Sequence, residues 1–189
     1  MLFAHDTEVG LNAAAELVNT ASGSGTGTEL LPDPPALAAF LDAWQFTGDR
    51  AGDAAELAGV HALRAELCEM WDAETEAVVA VVNRLLREGQ ARPQLVRHDD
   101  WGWHVHATEP HAPVPHRMAV EAAMAVADLV RAEQLDRLGR CEAEGCGAAL
   151  VDLTRNRSRR FCDASCANRT HAAAYRARRA SPNGVGPAA

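Results

Sequence analysis

Four of the chain's five cysteines fall within 26 residues, in the pattern Cys141-x4-Cys146-x15-Cys162-x3-Cys166. A segment of about 45 residues is marginal as an independent fold and usually needs a metal, disulfides or a partner to hold it together. Two close cysteine pairs joined by a spacer of this length match a four-thiolate zinc site, in which each pair supplies two corners of a tetrahedron. Thiolates are soft, strong ligands, and a closed shell of four leaves no open position for chemistry. The spacing therefore predicts one structural Zn²⁺ held by Cys141, Cys146, Cys162 and Cys166. Disulfides would need an oxidising compartment. The opening Met1-Leu2-Phe3-Ala4-His5-Asp6 has no basic segment leading into an apolar one, and no stretch approaches about 18–20 apolar residues. A cytoplasmic setting without membrane association is expected.

Gly145 and Gly147 flank Cys146, so the backbone there can turn sulfur and amide groups toward a metal. Ala148–Leu153 can form strand material, with Thr154-Arg155-Asn156-Arg157 turning back, so that the spacer forms a hairpin. Cys166 falls near the start of a helix running to about Ala180, where unpaired N–H groups favour a thiolate. A hairpin followed by a helix that carries the second ligand pair is the order of a treble-clef zinc module.

Charge divides the chain at the same place. Its formal net charge is −8, but residues 1–136 hold 8 Arg against 22 acids, whereas residues 137–189 hold 10 Arg against 4. Such asymmetry points to a nucleic-acid or membrane-surface role for the basic side. From Thr154 to Arg179 there are eight arginines, Arg155, Arg157, Arg159, Arg160, Arg169, Arg176, Arg178 and Arg179, and one acid, Asp163. Each guanidinium can neutralise a phosphate, and Arg can also pair with guanine in a groove. Arg169 and Arg176 share a helix face; His171, Tyr175 and Arg178 form a stripe beside it. Tyr175 is expected to close over the module's small core, with stacking on a base or sugar as its other reading. The arginines also admit a plainer reading, as a solvated surface or as a contact with the acidic first domain.

Upstream, helical spacing recurs. Leu11, Ala14, Ala15 and Val18 share one face of a first helix; Thr20–Thr28 (TASGSGTGT) is a flexible loop; Asp33 caps a helix with Leu37, Phe40, Leu41 and Trp44 inward. Asp53 caps a third, with Val60, Leu63, Leu67, Met70 and Trp71 inward, and a fourth starts near Thr75 and stops at Gly89. Cys68, beside the third helix's apolar stripe, reads as a small buried hydrophobe. From Pro93 to Ala107 the period falls to two, predicting a β-hairpin that turns at Asp99-Asp100. Trp101 and Trp103 are expected to face the core, leaving His104 and His106 on an exposed strand face; a second metal site on that His-x-His pair is the alternative. A helix of about 20 residues follows, carrying Met118, Ala122, Ala125, Val126, Leu129 and Val130 on one face. The expected fold is mainly α with a small β-hairpin, over residues 1–136, followed by the treble-clef-like finger at 137–180 and a disordered tail at 181–189.

The run Asp152-Leu-Thr-Arg-Asn-Arg-Ser-Arg-Arg-Phe-Cys162, then Cys166-Ala-Asn-Arg169 and Tyr175-Arg-Ala-Arg178, resembles the CGNR zinc finger, with Ala167 in place of the signature glycine. Glu16-Leu-Val-Asn-Thr20 and Leu31-Pro…Leu37…Phe40-Leu41 resemble the opening of the helical ABATE domain that usually precedes that finger. The resemblance implies a transcriptional regulator associated with stress responses. Asp152 and Asn168 are read as structural supports of the metal site; Asn168 and Arg169 either cap the hairpin or hydrogen-bond the cysteine sulfurs, or else they meet nucleic acid.

No nucleophile–base pair, phosphate-cradling glycine loop or His-Glu-x-x-His motif occurs. The chain is thus expected to bind DNA rather than catalyse. The first domain would sense a signal, with a small-molecule effector, or mediate association as a homo-oligomer. A zinc-stapled protein-interaction module is the runner-up, and an enzyme or metal-dependent sensor built on the His-rich hairpin comes third.

Overall fold

The structure, a computed structural model, describes residues 2–22, 27–97 and 102–180. The expected tail at 181–189, the middle of the 20–28 loop and the hairpin turn with Trp101 lie outside the described residues.

Among the described residues five helices build the first region: α1 (His5–Asn19), α2 (Pro34–Ala43), α3 (Ala54–Glu69), α4 (Thr75–Glu88) and α5 (Val114–Arg131). Capping follows the sequence cues. The Asp33 carboxylate accepts from Ala36 N and that of Asp53 from Glu56 N, at 2.9 and 2.8 Å, satisfying amides that would otherwise be orphaned at each helix start. Glu56 returns the contact by accepting from Ala51 N and Gly52 N. The two ends of the 20–28 loop are tied by Leu30 N–H to Thr20 O and by Arg64, which bonds both Thr20 Oγ1 and the Glu29 carboxylate. Arg64 holds the Glu29 pKa down to about 2, against the opposing effect of burial.

Helix α5 is the hub, packed against α1, α3 and α4. The sequence predicts one apolar face, but the helix is enclosed more widely: Val114, Met118, Ala119, Val120, Ala122, Ala123, Ala125, Val126 and Leu129 are all buried. Its many alanines let neighbouring helices come close, and a β-carbon at Gly10 of α1 would lie 3.1 Å from Ala125 Cβ. Leu11, Leu17, Leu37, Leu41, Val60, Leu67, Met70 and Val78 complete the core, each large apolar side chain contributing about 1.5–3 kcal/mol by leaving water. Phe40 and Trp44 are only half-buried, their rings 6.4 Å apart near the end of α2.

Strands β1 (Gln94–Val96) and β2 (His104–His106) pair antiparallel, with Leu95 opposite Val105. The hairpin's orientation reverses the expectation. Trp103 and Leu95 are 70% and 68% exposed, whereas His104 is buried and His106 half-buried. The cause is a polar attachment to α1: the Asp6 carboxylate accepts from Val105 N at 3.0 Å, which brings β2 over the start of that helix with its histidine face inward. His104 Nε2 and His106 Nε2 are 3.1 Å apart.

A 3-10 turn at Leu135–Arg137 leads into β3 (Leu138–Arg140), paired antiparallel with β4 (Ala149–Val151), and α6 (Ala164–Ala180) follows. This second hairpin also departs from expectation. It brackets the first cysteine pair instead of lying within the spacer, because β4 finds its partner upstream of Cys141. The hairpin is sutured to the helices. Asn19 bonds Ala149 on both sides, through Nδ2 to O at 2.9 Å and from N to Oδ1 at 2.7 Å; Trp71 Nε1 donates to Leu150 O at 3.0 Å; Arg140 reaches Asp72 and Cys68 O. Ala149 and Val151 belong to the same apolar core as α1 and α5. Cys68 is half-buried against that core, with its sulfur 3.5 Å from Arg140. No described helix is long and apolar enough to cross a membrane.

Candidate metal centre and nucleic-acid interface

Gly145 and Gly147 adopt φ of +72° and +62°, left-handed values that glycine takes without strain. They turn the chain around Cys146 and return it to β4. Cys141 leaves β3, its N–H bonded to Ala148 O at 2.8 Å. The spacer comes back as an extended segment anchored by Glu142 N to Arg160 O at 2.9 Å and delivers Cys162. Asp163 then caps α6 by accepting from Cys166 N at 2.7 Å, which places Cys166 in the first helical turn.

The four sulfurs lie within 4.8 Å of one another, with Cys146–Cys162 at 3.7 Å and Cys162–Cys166 at 3.6 Å. Disulfide sulfurs would be about 2 Å apart. A tetrahedron with Zn–S bonds of about 2.3 Å has edges of about 3.8 Å, so the separations fit the metal. The chemistry of the donors agrees. Burial and the three crowding thiols push the Cys162 pKa up, whereas Cys141, though burial opposes it, is pulled down by N–H groups of Cys162 and Ala143. Four thiolates at this spacing repel unless a cation lies among them. The four cysteines form a zinc-binding site, consistent with one structural Zn²⁺, which when bound supplies a four-way cross-link. Among the described residues they are the one cluster of three or more His, Cys, Asp or Glu side chains placed to hold a metal, and His104 and His106 are not part of another. No helical or strand core of ordinary size supports this point: the buried residues around it are Cys141, Ala143, Ala148, Leu150 and Cys166, with Phe161 beside them.

The predicted supports divide. Asp152 is buried and accepts from Thr154 N, Thr154 Oγ1 and Arg159 N at 2.8, 2.5 and 2.8 Å. Burial works against its charge, but these hydrogen bonds and nearby Arg137 prevail and hold its pKa below the ordinary value. Asn168 is exposed, and its side chain makes no hydrogen bond among the described residues. Its neighbour Arg169 takes the supporting role, with Nη2 3.3 Å from Cys166 Sγ. Sequence reasoning missed Arg137, a buried guanidinium that bonds Asp152 O at 2.6 Å and Thr154 O at 3.0 Å and fixes the turn after β4. Its position just before a glycine-containing strand gave no sign of this.

The eight arginines likewise separate. Arg159 is spent on the carbonyls of Val151, Phe161 and Cys162. Arg157 pairs with Asp136, and Arg160 with Glu142 at 2.5 Å while lying over the Phe161 ring. Among the described residues the side chains of Arg155, Arg176 and Arg178 make no hydrogen bond or ion pair, and that of Arg179 touches only Tyr175, through the hydroxyl at 3.2 Å and over the ring. Tyr175 does not close the module's core. It is 54% exposed, and Phe161 fills the expected place, edge-on to His171. From His171 to Arg179 every residue of α6 is exposed, so the helix projects from its zinc-bound first turn.

Comparison with known families agrees with this geometry. Residues 137–179 match the CGNR zinc finger, and residues 11–133 match ABATE, described as "putative stress-induced transcription regulator". No curated protein matches the chain. With ABATE spanning most of its length and the CGNR finger following, the chain belongs to the ABATE family.

Proposed function

We propose that the chain is a DNA-binding transcriptional regulator, acting through the exposed arginines of its zinc finger and not through catalysis. The observation that carries this reading is the projecting second half of α6. It presents Arg176, Arg178 and Arg179 to solvent from a base fixed by the metal ligands, and Arg155 lies in the loop preceding the same site. A rigid cationic helix is what phosphate contact and groove entry require. The remaining arginines position the scaffold: Arg159 and Arg169 brace the cysteines, and Arg157 and Arg160 balance acids of the chain itself. Fewer guanidiniums are therefore available than composition suggests.

Titrating the zinc-loaded protein with duplex DNA over a salt series tests this. If four guanidiniums each neutralise a phosphate, log K falls against log salt with a slope of roughly −3 to −4. The R176A/R178A/R179A variant should flatten that slope. Absence of binding at low salt, or affinity that ignores salt, overturns the reading and leaves an acidic protein partner for the same helix.

A further inference from the structure

The ABATE region holds a cleft of about 720 Å³ between α1 and α5, walled by the segment after α2 and by β2. That volume suits a small ligand. Its floor is apolar, with Val9, Ala13 and Met124, and Trp44 and Phe46 line one wall.

The charged groups in it are unevenly neutralised. Among the described residues four acids line the cleft, Asp6, Asp42, Glu121 and Asp128, against two arginines, Arg50 and Arg131, with His104 and His106 of β2 also lining it. Both arginines are already paired within the wall, Arg50 with Asp42 at 2.6 Å and Arg131 with Asp128 at 3.2 Å. Asp6 and Glu121 are left over. Among the described residues the Asp6 carboxylate accepts only from backbone N–H groups, those of Thr7 and Val105, and the Glu121 carboxyl makes no hydrogen bond. Arg117, the cation that bears most on Glu121, directs its guanidinium elsewhere, to the carbonyls of Thr47 and Asp49. Burial accordingly pushes the Glu121 pKa up to about 7. The half-buried Glu121 carboxyl thus has no donor in a cleft with an apolar floor, and groups perturbed in this way concentrate where a ligand supplies the missing partner.

We propose that this cleft binds a small organic cation, its ammonium group against Glu121 with Asp6 contributing negative potential, and its apolar or aromatic body along Trp44 and Phe46. The aromatic wall favours a cation through the negative face of each ring, and Asp6, joined by Glu121 in its ionised form, repels an anion. This inference goes beyond the DNA reading and does not depend on it.

The experiment uses the zinc-loaded full chain and three probes of one shape: phenethylamine, 2-phenylethanol and phenylacetate. Binding is followed by backbone amide chemical shifts. Phenethylamine should saturate with a Kd on the order of 1 mM, ordinary for so small a ligand, and shift the amides of the first turn of α1, the Trp44–Thr47 segment and the middle of α5. The alcohol and the carboxylate should bind at least about ten-fold more weakly. E121Q should lower the amine's affinity about ten-fold while retaining one zinc per chain, and W44L provides a second variant for the aromatic wall. Equal affinity for amine and carboxylate, no saturation by the amine, or amine binding unchanged in both variants overturns the proposal.

Discussion

The helical region and the finger solve the same folding problem by different means. Around α5, close-packed leucines, valines and alanines exclude water, and stability is spread over many side chains. Around the cysteines the enclosed apolar material amounts to two alanines and a leucine besides the sulfurs, with Phe161 at the margin. Loss of one residue should therefore be graded in the first region and all-or-none in the second. The two are not independent, because β4 belongs structurally to both: Leu150 packs toward the sulfurs, while Ala149 and Val151 pack toward α1.

The largest effect should come from removing the metal or from C162S. Zinc content should fall to none, and amide exchange from Cys141 to the end of α6 should become fast, since structural zinc sites supply folding free energy directly. The helical region should lose stability as well, with a lowered Tm, because Ala149 and Val151 leave its core; an unchanged Tm would show that the regions are uncoupled. Next comes L129A in α5. A cavity there should cost about 2–5 kcal/mol in denaturant unfolding with zinc content unchanged.

N19A should follow, at about 1–3 kcal/mol, because it strands the N–H and C=O of Ala149, which sit in a buried strand. Its effect should appear in both regions, and protection lost in only one would break the coupling. E121Q has the opposite sign. Its folded pKa of about 7 lies above the unfolded value, so the protonated form favours folding and stability declines as pH rises from about 4.5 to 7. Glutamine removes that penalty: the variant should gain at most about 2–3 kcal/mol at pH 8 and progressively less toward pH 5, as read from urea midpoints. Smallest of all, R178A should leave the Tm where it is, since its side chain has no partner among the described residues, and should alter only the salt dependence of DNA binding.

The parts legible in the sequence share a local cause. Helix spacing, the caps at Asp33 and Asp53 and the two cysteine pairs are set by residues a few positions apart. What escaped depends on contacts made across the chain. Nothing near Asn19 announces a partner at Ala149, and nothing near Trp71 announces Leu150. The first hairpin's alternation was plain, but alternation fixes only that two faces exist, and the carboxylate of Asp6 decided which one turned inward. Arg159 and Arg169 illustrate the same limit within the finger. Counting charges marks them as phosphate contacts, whereas the turn after β4 and the sulfur of Cys166 claim them first.

Helix α1 has Asp6, Thr7 and Gly10 at the cleft and Asn19 clamped to the zinc hairpin. At about 1.5 Å per residue, the two ends are separated by roughly 20 Å of continuously hydrogen-bonded backbone. A helix of that length is a stiff strut, so its first and last turns cannot slide along the axis separately. Any axial displacement at the cleft is delivered whole to Ala149, and thence to the strand that borders the sulfurs, without the connecting loops having to rearrange.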